Sequence, residues 1–309
     1  MNKSITVVIC TYNRAQLLKM ALLSLVDQTL DKSDFDVIVV DNNSTDDTKE
    51  ISKSFENKLN LRYVVEKNQG LSYARNKGIE ECQTNYISFL DDDAKANNDW
   101  LEIAYRTIKK KRPEIFGGPI YPFYITKKPK WFRDEYEIRK PLKKSSYIDT
   151  KKKFLSGSNI FINQNVFEKI GRFDLNLGMK GNNEISVGEE TKLQLIAYKN
   201  GIKRYFSKKL IVYHLVTEEK MKVKYIIKRF IATSFNSRFI YPERNNKLFS
   251  SFIHIIIGFV LFIVGLIMFP FRNRRKYPYR QNYFLKIVRR LIIAYGKIKS
   301  YLKSQKHVR

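Results

Sequence analysis

Two hydrophobic periods alternate across the first 110 residues, and this limits what the chain can become. ITVVIC (Ile5 to Cys10), DVIVV (Asp36 to Val40), LRYVVE (Leu61 to Glu66) and YISFL (Tyr86 to Leu90) are short apolar runs. Runs of this kind fit strands buried on both faces. Between them, Gln16 to Gln28 has helical spacing, Ser44 to Asp47 can cap a second helix, and NQGLSYARNKGIEEC reads as a loop plus a third. Strand and helix in alternation predict an α/β fold: a Rossmann-like, mainly parallel sheet with helices on both faces. Ligands of such sheets bind beyond the carboxyl ends of the strands. Three polar clusters fall there: Thr11 to Arg14, Asp41 to Ser44, and Asp91 to Asp93.

Three adjacent aspartates after an apolar strand repel one another unless a cation is near. Alternate side chains of an extended segment point the same way, so Asp91 and Asp93 can face one pocket. A hard divalent cation, Mg2+ or Mn2+, takes carboxylate and phosphate oxygens together. The bland alternative is a solvated acidic turn capping a helix that starts near Asn97.

Composition narrows the setting. The chain carries a net charge of +28, with 58 Lys+Arg against 30 Asp+Glu. Residues 216–309 hold +18 of this excess, and no acidic residue follows Glu243. Inside that region residues 248–271 are uncharged, centred on FIHIIIGFVLFIVGLIMFPF. About 20 apolar residues suffice to span the ~30 Å hydrocarbon layer. Both flanks are basic, Lys220 to Lys247 and RNRRKYPYR from Arg272, which favours a hairpin or re-entrant insertion broken near Gly258 or Gly265 over a single span. Phe284, Val288, Leu291, Tyr295, Ile298 and Leu302 recur at helical spacing among lysines and arginines, a basic amphipathic helix suited to anionic lipid. Residues 1–215 and 216–309 are therefore expected to be separate regions, the second a helical membrane-associating segment at the cytoplasmic face of a cell membrane. Nothing in MNKSITVVICTYN suggests export, and two cysteines, Cys10 and Cys82, fit a reducing compartment. Nucleic acid is not the expected partner, because the basic residues flank an apolar segment rather than a recognisable binding motif.

The ordered series VVICTYNR, VVDNNSTDDT, NQGLSYARNKGI, FLDDDAKANNDWL, FLSGSNIFINQNVFEKIGRFDLNLG and VGEETKLQLIAYKNGI resembles the family 2 glycosyltransferases, which have the GT-A fold. The resemblance covers about residues 4–215. It implies inverting transfer of a sugar from a nucleotide donor, UDP-sugar favoured, with Mg2+ or Mn2+. It also implies a glycolipid or polysaccharide acceptor, in the setting of bacterial cell-surface polysaccharide synthesis.

Carried over position by position, Thr11, Tyr12, Asn13, Arg14, Asp41, Asn43 and Arg75 would meet the nucleotide. Asp91 and Asp93 would form the DxD pair, the first toward the ribose or metal and the second on the metal, with Asp92, the variable middle residue, counted among the nucleotide-sugar contacts. His214, closing IVYH, would be a third metal ligand or a packing histidine. Inversion needs a base that takes the acceptor's proton. Glu189-Glu190 occupies the place of the family's Glu-Asp or Asp-Asp pair, making Glu190 the base by register and Glu189 the alternative. Glutamate replaces the usual aspartate here, and two glutamates also suit a helix N-terminus for its dipole alone. Trp131 in the irregular 117–154 stretch, with Ser158 and Asn159, would lie on the acceptor side. A catalytically inactive GT-A membrane scaffold and a basic nucleic-acid-binding protein are the competing readings.

Overall fold

The structure, a computed structural model, describes residues 4–180, 186–241 and 248–305. In chain order the first unit contains β1 (Ile5–Thr11), α1 (Ala15–Val26), β2 (Phe35–Asp41), α2 (Thr48–Lys53), β3 (Leu61–Val65), α3 (Leu71–Glu81), β4 (Tyr86–Phe89), β5 (Ala94–Ala96) and α4 (Trp100–Lys111). It continues with β6 (Ile115–Gly117), β7 (Ile120–Phe123), β8 (Ser146–Ile148), β9 (Ile160–Asn163), α5 (Gln164–Ile170), α6 (Glu189–Lys199), β10 (Arg204–Phe206) and β11 (Val212–Leu215).

β1 is buried on both faces, as its unbroken apolar run requires. Ile5, Val7 and Ile9 pack in one cluster with Leu18, Leu22 and Leu25 of α1. Val8, pointing the other way, packs with Ala74 and Ile79 of α3. Helices therefore cover both sides of the sheet. Its strand order is β3-β2-β1-β4-β9-β6-β10-β8. The first four strands are parallel, and β9 runs antiparallel to both β4 and β6. A second sheet, β5-β11-β7, forms beyond the end of β4. β5 follows the aspartates directly, and β11 ends in the His214-Leu215 pair. The pairing of β11 with β5 sets His214 opposite Ala94. Two residues distant in sequence thus reach the same strand end, a juxtaposition that local periodicity does not reveal.

The second unit holds residues 124–137, 186–188 and everything from Val216. Its helices are α7 (Val223–Ile240), α8 (Leu248–Ile267) and α9 (Arg280–Gln305). Side chains of the helices hold the two short segments. Asn282 donates to the Trp131 carbonyl and the Tyr136 hydroxyl, at 2.7 and 2.8 Å. Arg229 pairs with Glu137, and Asn236 donates to Ser186 Oγ and the Val187 carbonyl.

The apolar segment differs from expectation. α8 runs unbroken through Gly258 and Gly265. Those glycines are points of close approach: a Cβ on Gly258 would lie 3.1 Å from Leu291, and one on Gly265 only 2.5 Å from Ile287. The chain turns instead after Ile267, around Pro270, and returns as α9. The expected stripe on α9 also divides. Tyr283, Leu285, Ile287, Val288 and Ala294 are buried, whereas Phe284, Tyr295 and Leu302 are exposed. α9 packs against both α7 and α8, which a single-stripe reading of one helix does not foresee. Among the described residues, no helix is long and apolar enough to cross a membrane. Of the basic flank expected from Lys220 to Lys247, residues 242–247 lie outside the described residues.

Candidate active site

The strand ends gather the polar clusters as the fold requires. Asp91 follows β4 and presents its oxygens toward His214, whose Nε2 lies 3.6 Å from Asp91 and 3.1 Å from Asp93. Ligand atoms of Asp91, Asp93 and His214 all lie within 4.8 Å of one another. Two carboxylates and an imidazole so close fit a divalent cation: the carboxylates suit Mg2+ and Mn2+ alike, and the imidazole suits Mn2+ better. Asp92 faces away from this group. It accepts from Thr11 Oγ1 at 2.8 Å and from Arg14 Nη1 at 3.1 Å, tying the end of β1 to the end of β4. Burial pushes Asp92 up to about 6, against the pull of Arg14. Burial also opposes the charge on Asp91, but hydrogen bonding with His214 and the nearby Arg75 hold it below the ordinary carboxylate value.

The second and third strand ends form the neighbouring wall. Asp41 is buried and accepts from Ser44 N and the Tyr63 hydroxyl. Burial, reinforced by that bond to Asp41, raises the Tyr63 pKa. Asn13 and Asn43 both adopt left-handed backbone, φ 52° and 67°, which asparagine tolerates better than most residues. Asn13 bridges to the second cluster, accepting from Thr45 N at 2.7 Å. Tyr12 and Asn43 are exposed. Asn42, which no sequence motif singles out, anchors the neighbouring loop. Its side chain donates to the Glu66 and Asn68 carbonyls and accepts from Gly70 N at 2.7 Å. It thereby fixes the loop leading into α3. Its place between Asp41 and Asn43 in VVDNNS is the only local signal for it.

Arg75, on α3, has a larger duty than the expected nucleotide contact. It is 3% exposed, and its Nη1 donates to Glu189 Oε1 at 2.6 Å while Nη2 lies 3.3 Å from Asp91. The guanidinium also rests near the rings of Phe89 and Phe173, 5.6 and 5.4 Å from their centroids. Gly157 leaves room for it, since a Cβ there would come within 2.9 Å of Nη2. Burial works against the arginine's charge, but Glu189 and Asp91 keep it protonated.

The two glutamates at the start of α6 are not equivalent. Glu189 is buried and committed to Arg75. Burial, with Glu190 adding to it and Arg75 opposing, lifts Glu189 to about 7. The Glu190 side chain is 15% exposed and is approached by Arg139 Nη2 at 3.5 Å and Thr191 Oγ1 at 3.3 Å. Arg139 had no sequence signal, because it lies in the irregular stretch 51 residues away.

The residues expected on the acceptor side divide three ways. Ser158 Oγ accepts from Asp91 N at 3.1 Å and so steadies the aspartate cluster. Asn159 is wholly buried. Its amide hydrogens go to the Pro119 and Leu210 carbonyls and its oxygen takes the Trp100 indole N–H, which makes it a structural clamp with no amide hydrogen left for a ligand. Trp131 belongs to the second unit, where it packs against Phe132 and Tyr136.

Similar proteins share this arrangement of elements. The family model described as glycosyl transferase family 2 matches residues 6–171. A glucosyl-dolichyl phosphate glucuronosyltransferase of Haloferax volcanii is 26% identical over 254 residues, 78% of this chain and 80% of that protein. The glycosyltransferase AglE of the same organism is 33% identical over 171 residues, 55% of this chain and 55% of that protein. Among solved structures, the mannosyltransferase PcManGT of Pyrobaculum calidifontis, in complex with GDP-Man and Mn2+, has a TM-score of 0.66 at 16% identity, covering 98% of this chain and 88% of that one. S. aureus TarS 1-349 in complex with UDP-GlcNAc has a TM-score of 0.57 at 17% identity, covering 97% and 92%. At these identities the likeness is one of fold, and that fold is GT-A.

Proposed function

The chain belongs to glycosyl transferase family 2, and from that premise we propose that it moves a sugar, with inversion, from a nucleotide sugar to a lipid-linked or polysaccharide acceptor at a membrane surface. One observation carries this reading. The Asp91-Asp93-His214 group and Glu190 are joined through Arg75 and Glu189, so a cation-binding donor end and a carboxylate at the start of α6 belong to one connected site.

A divalent cation bound by Asp91, Asp93 and His214 would stabilise the negative charge that develops on the departing diphosphate. The protein's own residues supply the rest. Thr11 to Arg14 and Asp41 line the place of the nucleotide, with Asp41 held in position by Ser44 and Tyr63. Glu190 takes the proton of an acceptor hydroxyl as its oxygen bonds to the anomeric carbon. The bond from that carbon to the diphosphate breaks, and its electron pair leaves with the nucleoside diphosphate. Glu190 is better suited to be the base than Glu189, because it is the more accessible of the two and Glu189 is engaged by Arg75.

A UDP-sugar is the donor that the family resemblance favours, with Asp41 expected at the base. The solved neighbours hold a GDP-sugar in one case and a UDP-sugar in the other, so both nucleotides belong in the screen. The Haloferax relative, named for a dolichyl phosphate-linked substrate, supports a lipid-linked acceptor. The setting we infer is cell-surface polysaccharide synthesis in a bacterium, at the cytoplasmic face of the membrane.

The test is a screen of nucleotide sugars for Mn2+-dependent diphosphate release by detergent-purified protein, with and without a lipid-phosphate acceptor. Release with one donor class is expected, with Glu190→Gln lowering transfer by about 10²–10⁴ while donor binding persists. Full transfer activity in Glu190→Gln refutes the base assignment. No turnover with any donor and acceptor pair refutes the function.

A further inference from the structure

α8 is covered on one side only. Gly258, Phe262, Gly265 and Phe269 meet α9, where Tyr283, Ile287 and Val288 form a small core with Phe262, Phe269, Tyr277 and Ile292. The Tyr283 hydroxyl donates to the Gly265 carbonyl at 3.0 Å and fixes the register. The opposite side is apolar and open to solvent. Ile256 is 64% exposed, Val260 54%, Ile263 41% and Ile267 67%, spaced as one helical face, and Phe271 beyond the helix end is 77% exposed. A contiguous apolar face of this kind marks an interaction surface.

Charge identifies what covers it. The turn after α8 and the start of α9 expose Arg274, Arg275, Lys276 and Arg280, and no acidic residue occurs anywhere after Glu243. A second copy docked by the same face with its α8 parallel would bring these same-sign turns together, which is unfavourable, and an antiparallel copy would leave the basic turns unanswered by any opposite charge. An anionic lipid surface satisfies both the apolar face and the basic rim. The depth follows from α9. Leu291 and Ile287 lie against Gly258 and Gly265, so Lys286, Arg289 and Arg290 on α9 travel with the middle of α8. A spanning α8 would carry those charges into hydrocarbon, at great cost.

We propose that the exposed face of α8, Ile256, Val260, Ile263 and Ile267 with Phe271, seats in the plane of an anionic bilayer, its basic turn on the lipid phosphates. This builds on the membrane placement proposed above but not on the chemistry, and its test needs neither donor nor acceptor. The full chain is mixed with phosphatidylcholine vesicles with or without phosphatidylglycerol, and bound protein is measured by sedimentation. Binding is expected only with phosphatidylglycerol, and it should fall at least about tenfold in Ile256→Asn/Val260→Asn/Ile263→Asn, whose helix content by circular dichroism is unchanged. A second variant, Arg274→Gln/Arg275→Gln/Lys276→Gln, should weaken binding and flatten its salt dependence. In Val260→Trp, the added fluorescence should be quenched more by lipids brominated near the headgroup than at the chain ends. Equal binding of the triple Asn variant overturns the proposal. So does equal binding to neutral vesicles, deep quenching, or a wild-type dimer that the Asn variant dissolves without any vesicle binding. A chain that binds vesicles in this way and turns over no nucleotide sugar in the separate donor screen supports this proposal and counts against the enzymatic reading.

Discussion

The aspartates after β4 show how much one side chain's surroundings decide. Asp91 and Asp93 turn to His214, whereas Asp92 is spent on Thr11 and Arg14. We expect Asp93→Ala and His214→Ala each to weaken Mn2+ binding by at least about tenfold, measured by calorimetry, with Asp92→Asn affecting the metal far less. Glu189 yields a prediction about pH. Its folded pKa, about 7, lies above its ordinary 4.5, so the folded chain binds the proton more tightly than the unfolded chain. Its contribution to stability is therefore full below about 4.5 and is lost as pH rises through about 7. Glu189→Gln, which mimics the protonated form, should gain Tm relative to wild type as pH is raised over that window. A constant difference between the two curves contradicts it. The aspartates and His214 were legible in the sequence because each sits at the end of an apolar run. The Arg75–Glu189 pair was not, because 114 residues separate the partners and neither has a local pattern that names the other. Asn159 misled for a related reason: its small-residue surroundings suggest a ligand pocket, and only the fold shows Trp100 and two carbonyls claiming its amide.

At the level of elements, close approach is the recurring device. Gly78 on α3 faces Val8 of β1, and an added Cβ would lie 2.5 Å from a valine methyl. Alanine ordinarily favours a helix over glycine by about 1 kcal/mol. Crowding a packed core costs about 1–3 kcal/mol, so Gly78→Ala should be net destabilising, read as a lower urea midpoint. Gly118→Ala should be worse, since its Cβ would meet the Leu210 carbonyl oxygen at 1.9 Å and a backbone atom cannot rotate away. The parallel strands were readable from their apolar runs to within a residue or two, as with Asp36 to Val40 against β2 at Phe35–Asp41. The small sheet was not, because β5, β7 and β11 have three or four residues each and acquire meaning only by pairing. Gly258 and Gly265 show the same limit: within the unbroken α8 they serve close packing against Leu291 and Ile287, not a break.

For the whole molecule, the acidic cluster within a strongly basic chain has a thermodynamic signature. Asp91, Asp92, Asp93, Glu189 and Glu190 stand close together in a protein of net charge +28, and ligands that neutralise them bind the folded state alone. Mn2+ with a nucleoside diphosphate at about 100 times its Kd should add about 2.7 kcal/mol of stability, raising Tm by several degrees. That shift should vanish in Asp93→Ala and persist in Ile256→Asn/Val260→Asn/Ile263→Asn.

Arg75 also bears on how such a protein can be re-engineered or diverge. It holds Asp91 with one nitrogen and Glu189 with the other, at 3.3 and 2.6 Å, so the two halves of the site are not independent modules. A chimera that imports residues 138–215 from a relative, in search of a new acceptor, inherits whatever stands at position 189. If that residue offers no oxygen to the guanidinium, Arg75 is left buried with one of its donors unanswered, and the graft disturbs the donor end it was meant to leave alone. Successful exchanges should therefore carry the arginine and the carboxylate as one inherited unit.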